Sequence, residues 1–254
     1  MAKPKIGYQN ILESASAITV TSEESSSYAK ENAYDWNTYD SWRAGAAGTV
    51  YYTIDYGSAI ACDYWAMAAH DLSDNNGTVQ LQYSSDNFVS DTNDIGDLIA
   101  PDSNSPKFHS FTSVSARYWR FEITSTGAAS YISQISLGTA LTLARAVGAG
   151  FGIPNDAHDD EIMNAITEGG NFKGRSVYRR AISSELKLTI QGMTFIRGDW
   201  RTFVEHAKLK PFFFAWNPDY DESVYIWMEG NPDKPVIDGN HKTLSTGFRF
   251  KGLS

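Results

Sequence analysis

Apolar and polar residues alternate most cleanly at Val50–Leu72. Val50, Tyr52, Ile54 and Tyr56 occupy every second position, with Thr53, Asp55 and Gly57 between them. That period of two predicts a strand with one buried face. After a Gly-Ser turn, Ile60–Ala69 is apolar without alternation. It is either buried on both sides or carries the chain from one sheet to another. Val79, Leu81 and Tyr83 alternate with Gln80, Gln82 and Ser84, a second half-buried strand. Trp119, Phe121 and Ile123 share a face within Ser115–Ile123; Arg117 has their parity, and Arg120 and Glu122 point the other way. Tyr131–Leu137 reads as a closing strand, Ile11–Val20 has room for one more, and Asp86–Lys107 reads as loops.

In the second half, Leu186, Leu188 and Ile190 alternate as a strand. Phe212–Trp216 is a fully apolar one, and Val224–Glu229 and Thr246–Lys251 complete a sheet. Glu161–Thr167 fits a short helix or a strand, followed by a turn at Gly169-Gly170-Asn171. One helix is predicted over Asp199–Leu209. There Trp200, Phe203, Val204 and Ala207 form one stripe, Asp199 is placed to cap it, and Pro211 stops it. The expected class is mainly β, with a sandwich over residues 1–140 and an antiparallel β-barrel or sandwich with one packed helix over 141–254.

Charge supports that division. Residues 1–140 hold 7 Lys+Arg against 16 Asp+Glu, whereas residues 141–254 hold 14 of each, so the net −9 lies wholly in the first half. An acidic domain repels nucleic acid and anionic lipid, and neither is expected as a partner. No apolar run reaches the ~20 residues of a membrane span, and the first ten residues lack a signal-peptide core. The single cysteine, Cys62, precludes a disulfide framework within the chain and is expected to be a buried thiol. The 14 Tyr, 13 Phe and 7 Trp favour pleated sheets and contact surfaces.

Candidate chemistry is sparse. The chain has no G-x-S-x-G, H-E-x-x-H, P-loop or dinucleotide fingerprint, and its five histidines (70, 109, 158, 206 and 241) have no partner motif. No catalytic residues are assigned, and an enzyme is not expected. His158-Asp159-Asp160-Glu161 offers metal-ligating atoms, but adjacent ligands do not converge from a regular element; a solvated loop is favoured. Asp71 and Asp74 are weak calcium candidates, for which a turn is the plainer reading. The best contact candidate is the ring-rich, Asn/Asp-studded stretch Tyr28–Arg43. Trp36 and Tyr39 are its candidate glycan or partner contacts, joined by Asp74 and Asn75 if the topology brings them to the same end. Trp42 is favoured as core.

Four segments of the first half resemble the discoidin, or coagulation-factor type C, family: Asn37–Trp42 (NTYDSW), Tyr52–Gly57 (YTIDYG), Leu81–Asn87 (LQYSSDN) and Ala116–Phe121 (ARYWRF). The resemblance covers about residues 10–140 and implies an eight-stranded jelly-roll sandwich, in some members with a structural calcium. Glu168–Arg175, Lys210–Trp216 and Thr246–Leu253 resemble the C-terminal part of distal-tail or tail-tip proteins of long-tailed bacteriophages. That second resemblance implies a ring-forming homo-oligomer with other tail proteins as partners, synthesised in the host cytoplasm and located in the virion tail. A non-enzymatic tail-tip role is therefore expected. The alternative is a carbohydrate-binding module for host-surface glycans.

Overall fold

The computed structural model describes residues 3–145, 147, 151–154, 161–179, 182–220, 222–237 and 243–253. Its strands, in chain order, are β1 (Lys5–Gly7), β2 (Ala17–Val20), β3 (Trp42–Arg43), β4 (Gly48–His70), β5 (Thr78–Ser84), β6 (Asn93–Ile99), β7 (Lys107–Ser125), β8 (Tyr131–Gly138) and β9 (Leu141–Thr142). They continue with β10 (Glu161–Ile166), β11 (Phe172–Arg179), β12 (Ile182–Gly192), β13 (Phe212–Asn217), β14 (Glu222–Glu229), β15 (Val236–Ile237) and β16 (Thr243–Leu253). Between β12 and β13 lie α1 (Met193–Phe195), a π-helical turn (Ile196–Trp200) and α2 (Arg201–Ala207). The fold is mainly β with one packed helical segment, as expected.

The chain divides into two compact units, Met1–Ala146 with Lys210–Ser223, and Val147–Leu209 with Val224–Ser254. The boundary near residue 140 expected from charge therefore misses one excursion. Phe213, Phe214 and Ala215 of β13 return to the first unit and pair with Gly7, Ile6 and Lys5. Composition marks where charge changes, whereas strand pairing decides where a segment resides.

In the first unit the two long strands β4 and β7 each serve both layers of a sandwich. The first part of β4 pairs with β2 and with the end of β7 (Ile54↔Trp119, Tyr52↔Phe121). Its second part pairs with the start of β7 (Trp65↔His109) and with β8 (Trp65↔Leu137). The register shifts between Asp55 and Ile60, where Gly57 takes φ +86°. A bulge there adds twist and turns the strand over the core, so the Gly-Ser pair is a bend inside one strand rather than a turn between two. Both readings of Ile60–Ala69 hold: the run crosses between layers, and its Tyr64–Ala68 part is buried on both sides.

The predicted faces meet in the middle. Val50, Tyr52, Ile54, Trp119, Phe121 and Ile123 from one layer and Cys62, Trp65, Met67, Ile135 and Leu137 from the other share one buried cluster. Trp65 meets Phe121 edge-on at 5.9 Å, and Trp42 meets Tyr52 edge-on at 5.8 Å, an arrangement the ring quadrupoles favour. On the outer face, Arg117 Nε and one terminal nitrogen donate to the two Asp55 oxygens at 2.8 and 2.9 Å, and Arg120 donates to Gln82 Oε1.

Strand β6 corrects the expectation of loops over Asp86–Lys107. It pairs with β5 (Leu81↔Ile95, Tyr83↔Asn93) at the end of the sheet order. An edge strand is held by backbone hydrogen bonds and needs few apolar residues; among its side chains Ile95 and Ile99 reach the core. Cys62 is buried, and that burial pushes its thiol up to about 12. Ellman's reagent is therefore expected to leave folded protein unmodified and to titrate one thiol in denaturant; rapid labelling of folded protein would contradict the packing.

In the second unit, Glu161–Thr167 resolves as strand: β10 and β11 form a hairpin around the predicted glycine turn, with Thr167 N donating to Asn171 O at 2.9 Å. β12 and β14 pair antiparallel with β16, and β15 joins β16. The helical segment starts at Met193, six residues earlier than predicted. Asp199 accordingly sits inside it and caps nothing. The apolar stripe is as expected and gains Ile196; Trp200 stacks on Phe248 at 5.9 Å and meets Phe203 at 5.1 Å. Among the described residues no helix is long and apolar enough to cross a membrane.

Candidate functional site

The stretch Tyr28–Arg43 is an ordered loop that holds a 3-10 turn at Lys30–Ala33, runs into β3 at Trp42 and is anchored from several sides. Asn32 Nδ2 donates to the carbonyls of Ser27 and Ser41, and the Tyr52 hydroxyl donates to the Lys30 carbonyl at 2.8 Å. Two successive Asx turns shape its tip. Asp35 Oδ1 accepts from Asn37 N, and Asn37 Oδ1 accepts from Tyr39 N, each at 2.8 Å. Tyr39 emerges from the second turn with 92% of its surface exposed.

Trp36 takes another role. It is 5% exposed and adopts φ 67°, a conformation that costs about 1–3 kcal/mol for a residue other than glycine. Buried Gln134 on β8 accepts its amide at 2.9 Å, and its indole N–H donates to Glu13. Lys210 bonds both Glu13 oxygens at 2.8 and 2.9 Å and stands 6.0 Å above the Trp36 ring. Trp36 is thus an anchor of the loop and does not present its ring to a ligand. Trp42 is core: it is fully buried, with its indole N–H donating to the Ser22 carbonyl at 3.2 Å.

Where β3 meets β8, the loop borders a recess of about 320 Å³ lined by Tyr28, Thr38, Tyr39, Ser41, Arg43, Ala69, Tyr131 and Ser133. Register explains the lining. Arg43 lies opposite Tyr131, so their side chains share a face, and Ser41 and Ser133 follow by the period of two. Ala69 adopts φ 51° near the end of β4, a strained backbone of the kind that clusters at binding sites. The Arg43 guanidinium stands 5.7 Å from the Tyr28 ring centre and 3.4 Å from Glu24; its buried Nε has no partner. The wall therefore combines ring faces, hydroxyls and one cation. Of its members outside the aromatic stretch, Tyr131 and Ser133 carried no signal beyond strand parity.

Asp74 and Asn75 sit in the turn after β4 and do not line the recess. Asp74 accepts from Asn104 Nδ2 at 2.7 Å, while the Asn75 carbonyl accepts from the amides of Thr126 and Gly127. They fasten three loops together. Asp71 accepts the Tyr131 amide at 2.8 Å, and burial raises its pKa above the usual carboxylate range. Among the described residues no three His, Cys, Asp or Glu side chains come together to hold a metal, and Asp71 and Asp74 bond the Tyr131 amide and the Asn104 side chain instead. His158, Asp159 and Asp160 lie outside the described residues.

No protein-family model and no curated protein matches the chain. Among solved structures, it is similar to chitosan-binding module 1 of a chitosanase/glucanase from Paenibacillus sp. IK-5, at 16% identity and TM-score 0.43, over 51% of this chain and 98% of the module. It is also similar to CpGH89CBM32-5 of Clostridium perfringens in complex with GalNAc-β-1,3-galactose (18% identity, TM-score 0.40, 48% of this chain, 94% of that one). A third is a Ruminococcus gnavus GH29 fucosidase in complex with fucose (14%, TM-score 0.45, 52% of this chain, 27% of that one). These similarities are to carbohydrate-binding modules and a glycosidase and not to tail-tip proteins, and the tail-tip expectation is corrected accordingly; its ring, its tail-protein partners and its virion location gain no support from them. The segments behind that expectation, EGGNFKGR, KPFFFAW and TGFRFKGL, supply a hairpin turn and buried or half-buried strands, which β-proteins of any function require.

Proposed function

We propose that the first unit binds carbohydrate non-catalytically, with the recess between the aromatic loop and the β3–β8 edge as the site. One observation carries the reading: an exposed tyrosine on a pre-shaped loop stands beside a recess walled by two further tyrosines, three hydroxyl side chains and an arginine. Sugar rings present C–H faces that pack on aromatic rings, and hydroxyls that exchange hydrogen bonds with serine, threonine and guanidinium groups. A loop shaped in advance by two Asx turns and the Trp36 anchor limits the ordering cost of binding. Glycoside cleavage generally needs two carboxyl groups flanking the bond, and the residues lining the recess include none. Binding without sugar release follows.

The test is a glycan array, followed by calorimetry on the glycans retained. Tyr39→Ala removes an exposed ring, so the melting temperature is expected to stay unchanged. Affinity is expected to fall at least tenfold, about 1.4 kcal/mol. A chain that retains no glycan, or a Tyr39→Ala variant that binds like the parent, would end the proposal. Trp36→Ala would be a misleading probe, because it removes an anchor and not a contact.

A further inference from the structure

The second unit has a groove of its own, about 460 Å³, between the helical segment and the 232–237 segment. Its helix wall is Ile196, Trp200 and Val204, and Leu244 and Ile237 face them. The first three recur every four residues through the π-helical turn and α2. Turns of that wider kind are frequent at functional sites. The same spacing places Arg197 and Arg201 side by side on the rim. Both are exposed, and among the described residues neither enters an ion pair. Of the acidic groups nearby, Glu205 also feels the Arg201 charge but forms its ion pair elsewhere, with Lys208 at 2.7 Å, and Asp199 is not part of the lining. Among the described lining residues Asp233 is the one carboxylate, against two cations. Its backbone is pinned by Gly247 and Thr246.

A volume within ~300–1,000 Å³, an apolar lining and a few polar groups on one side describe a small-molecule site. Paired guanidinium forks suit an anionic oxygen head, of which a carboxylate is the smallest on a hydrocarbon chain. We propose that this groove binds an amphipathic carboxylate, its hydrocarbon body on Ile196, Trp200, Val204 and Leu244 and its head between Arg197 and Arg201. The site is independent of the carbohydrate recess.

The experiment is calorimetry of the full chain with decanoate and, as the uncharged control, decanol. Decanoate is expected to bind at least tenfold more tightly than decanol. The Arg197→Gln/Arg201→Gln variant is expected to erase that difference and leave decanol binding unchanged. Ile237 is 52% exposed, so Ile237→Asp is expected to fold normally while placing a like charge in the groove and weakening decanoate at least tenfold. Should the double variant not fold, Ile237→Asp decides alone. No decanoate binding, equal binding of acid and alcohol, or variants that bind decanoate like the parent would each overturn the proposal.

Discussion

Trp42→Ala is expected to cost about 3–5 kcal/mol of unfolding free energy. The ring is fully buried against Tyr52, and its N–H meets the Ser22 carbonyl. Alanine would leave a cavity between the layers and an unpaired carbonyl near the loop that borders the recess. Against a typical total of ~5–15 kcal/mol, that loss would leave much of the first unit unfolded at ambient temperature. Trp42→Phe keeps most of the volume but not the donor, and should cost about 1–2 kcal/mol. Urea melts of the three proteins provide the measurement. A Trp42→Ala cost under ~1 kcal/mol would show that the ring does not close the core as described.

Stability is also expected to fall as pH drops from about 6.5 to about 4, with His70 responsible. The imidazole is 2% exposed, its Nε2–H donates to the Ser105 carbonyl at 3.2 Å, and its Nδ1 is buried without a partner. Burial, with a smaller contribution from the Lys107 charge, pushes its pKa down to about 4, against an opposing pull from the Ser105 carbonyl. The sign follows from which state binds the proton. Below 6.5 the unfolded chain takes up a proton that the folded chain refuses until about pH 4, so the unfolded state gains. The penalty is absent above 6.5 and complete below 4. It reaches roughly 3 kcal/mol. The neighbouring Asp71 acts in the opposite sense, since its raised pKa favours the folded state as it protonates at the acid end. Carboxylates held low, such as Asp55 beside Arg117, lose their contribution only at the acid end of the window and below it. His70→Gln should flatten the slope between pH 6.5 and 4 in chemical denaturation. An unchanged slope would assign the effect to other groups.

Local pattern carried much of the fold. Val50, Tyr52 and Ile54, like Trp119, Phe121 and Ile123, announced buried faces because side-chain direction along a strand has a strict period of two. The stripe Trp200–Phe203–Val204–Ala207 announced a helix for the same kind of reason. Its start was illegible, because Asp199 looked like a cap only in the absence of the three-dimensional path from β12. Strand β6 was hidden because an edge strand is defined by its neighbour's backbone and not by its own apolar content. Loose likeness to tail proteins failed where it rested on turn and core residues shared by many β-folds.

The candidate recess divides in the same way. Residue order alone was enough to make Tyr28–Arg43 an ordered, ring-rich loop, since Asn and Asp make turns by bonding their own backbone. It was enough, too, to send Trp42 toward the core and to leave the chain without a catalytic signature. Which rings face out was settled by folding in three dimensions. Trp36 is drawn inward by Gln134 and Glu13, Tyr39 is left at the tip, and Tyr131 and Ser133 reach the wall because β8 pairs with β3. Those choices are set by register and long-range contact between segments far apart in the chain, and local periodicity encodes neither.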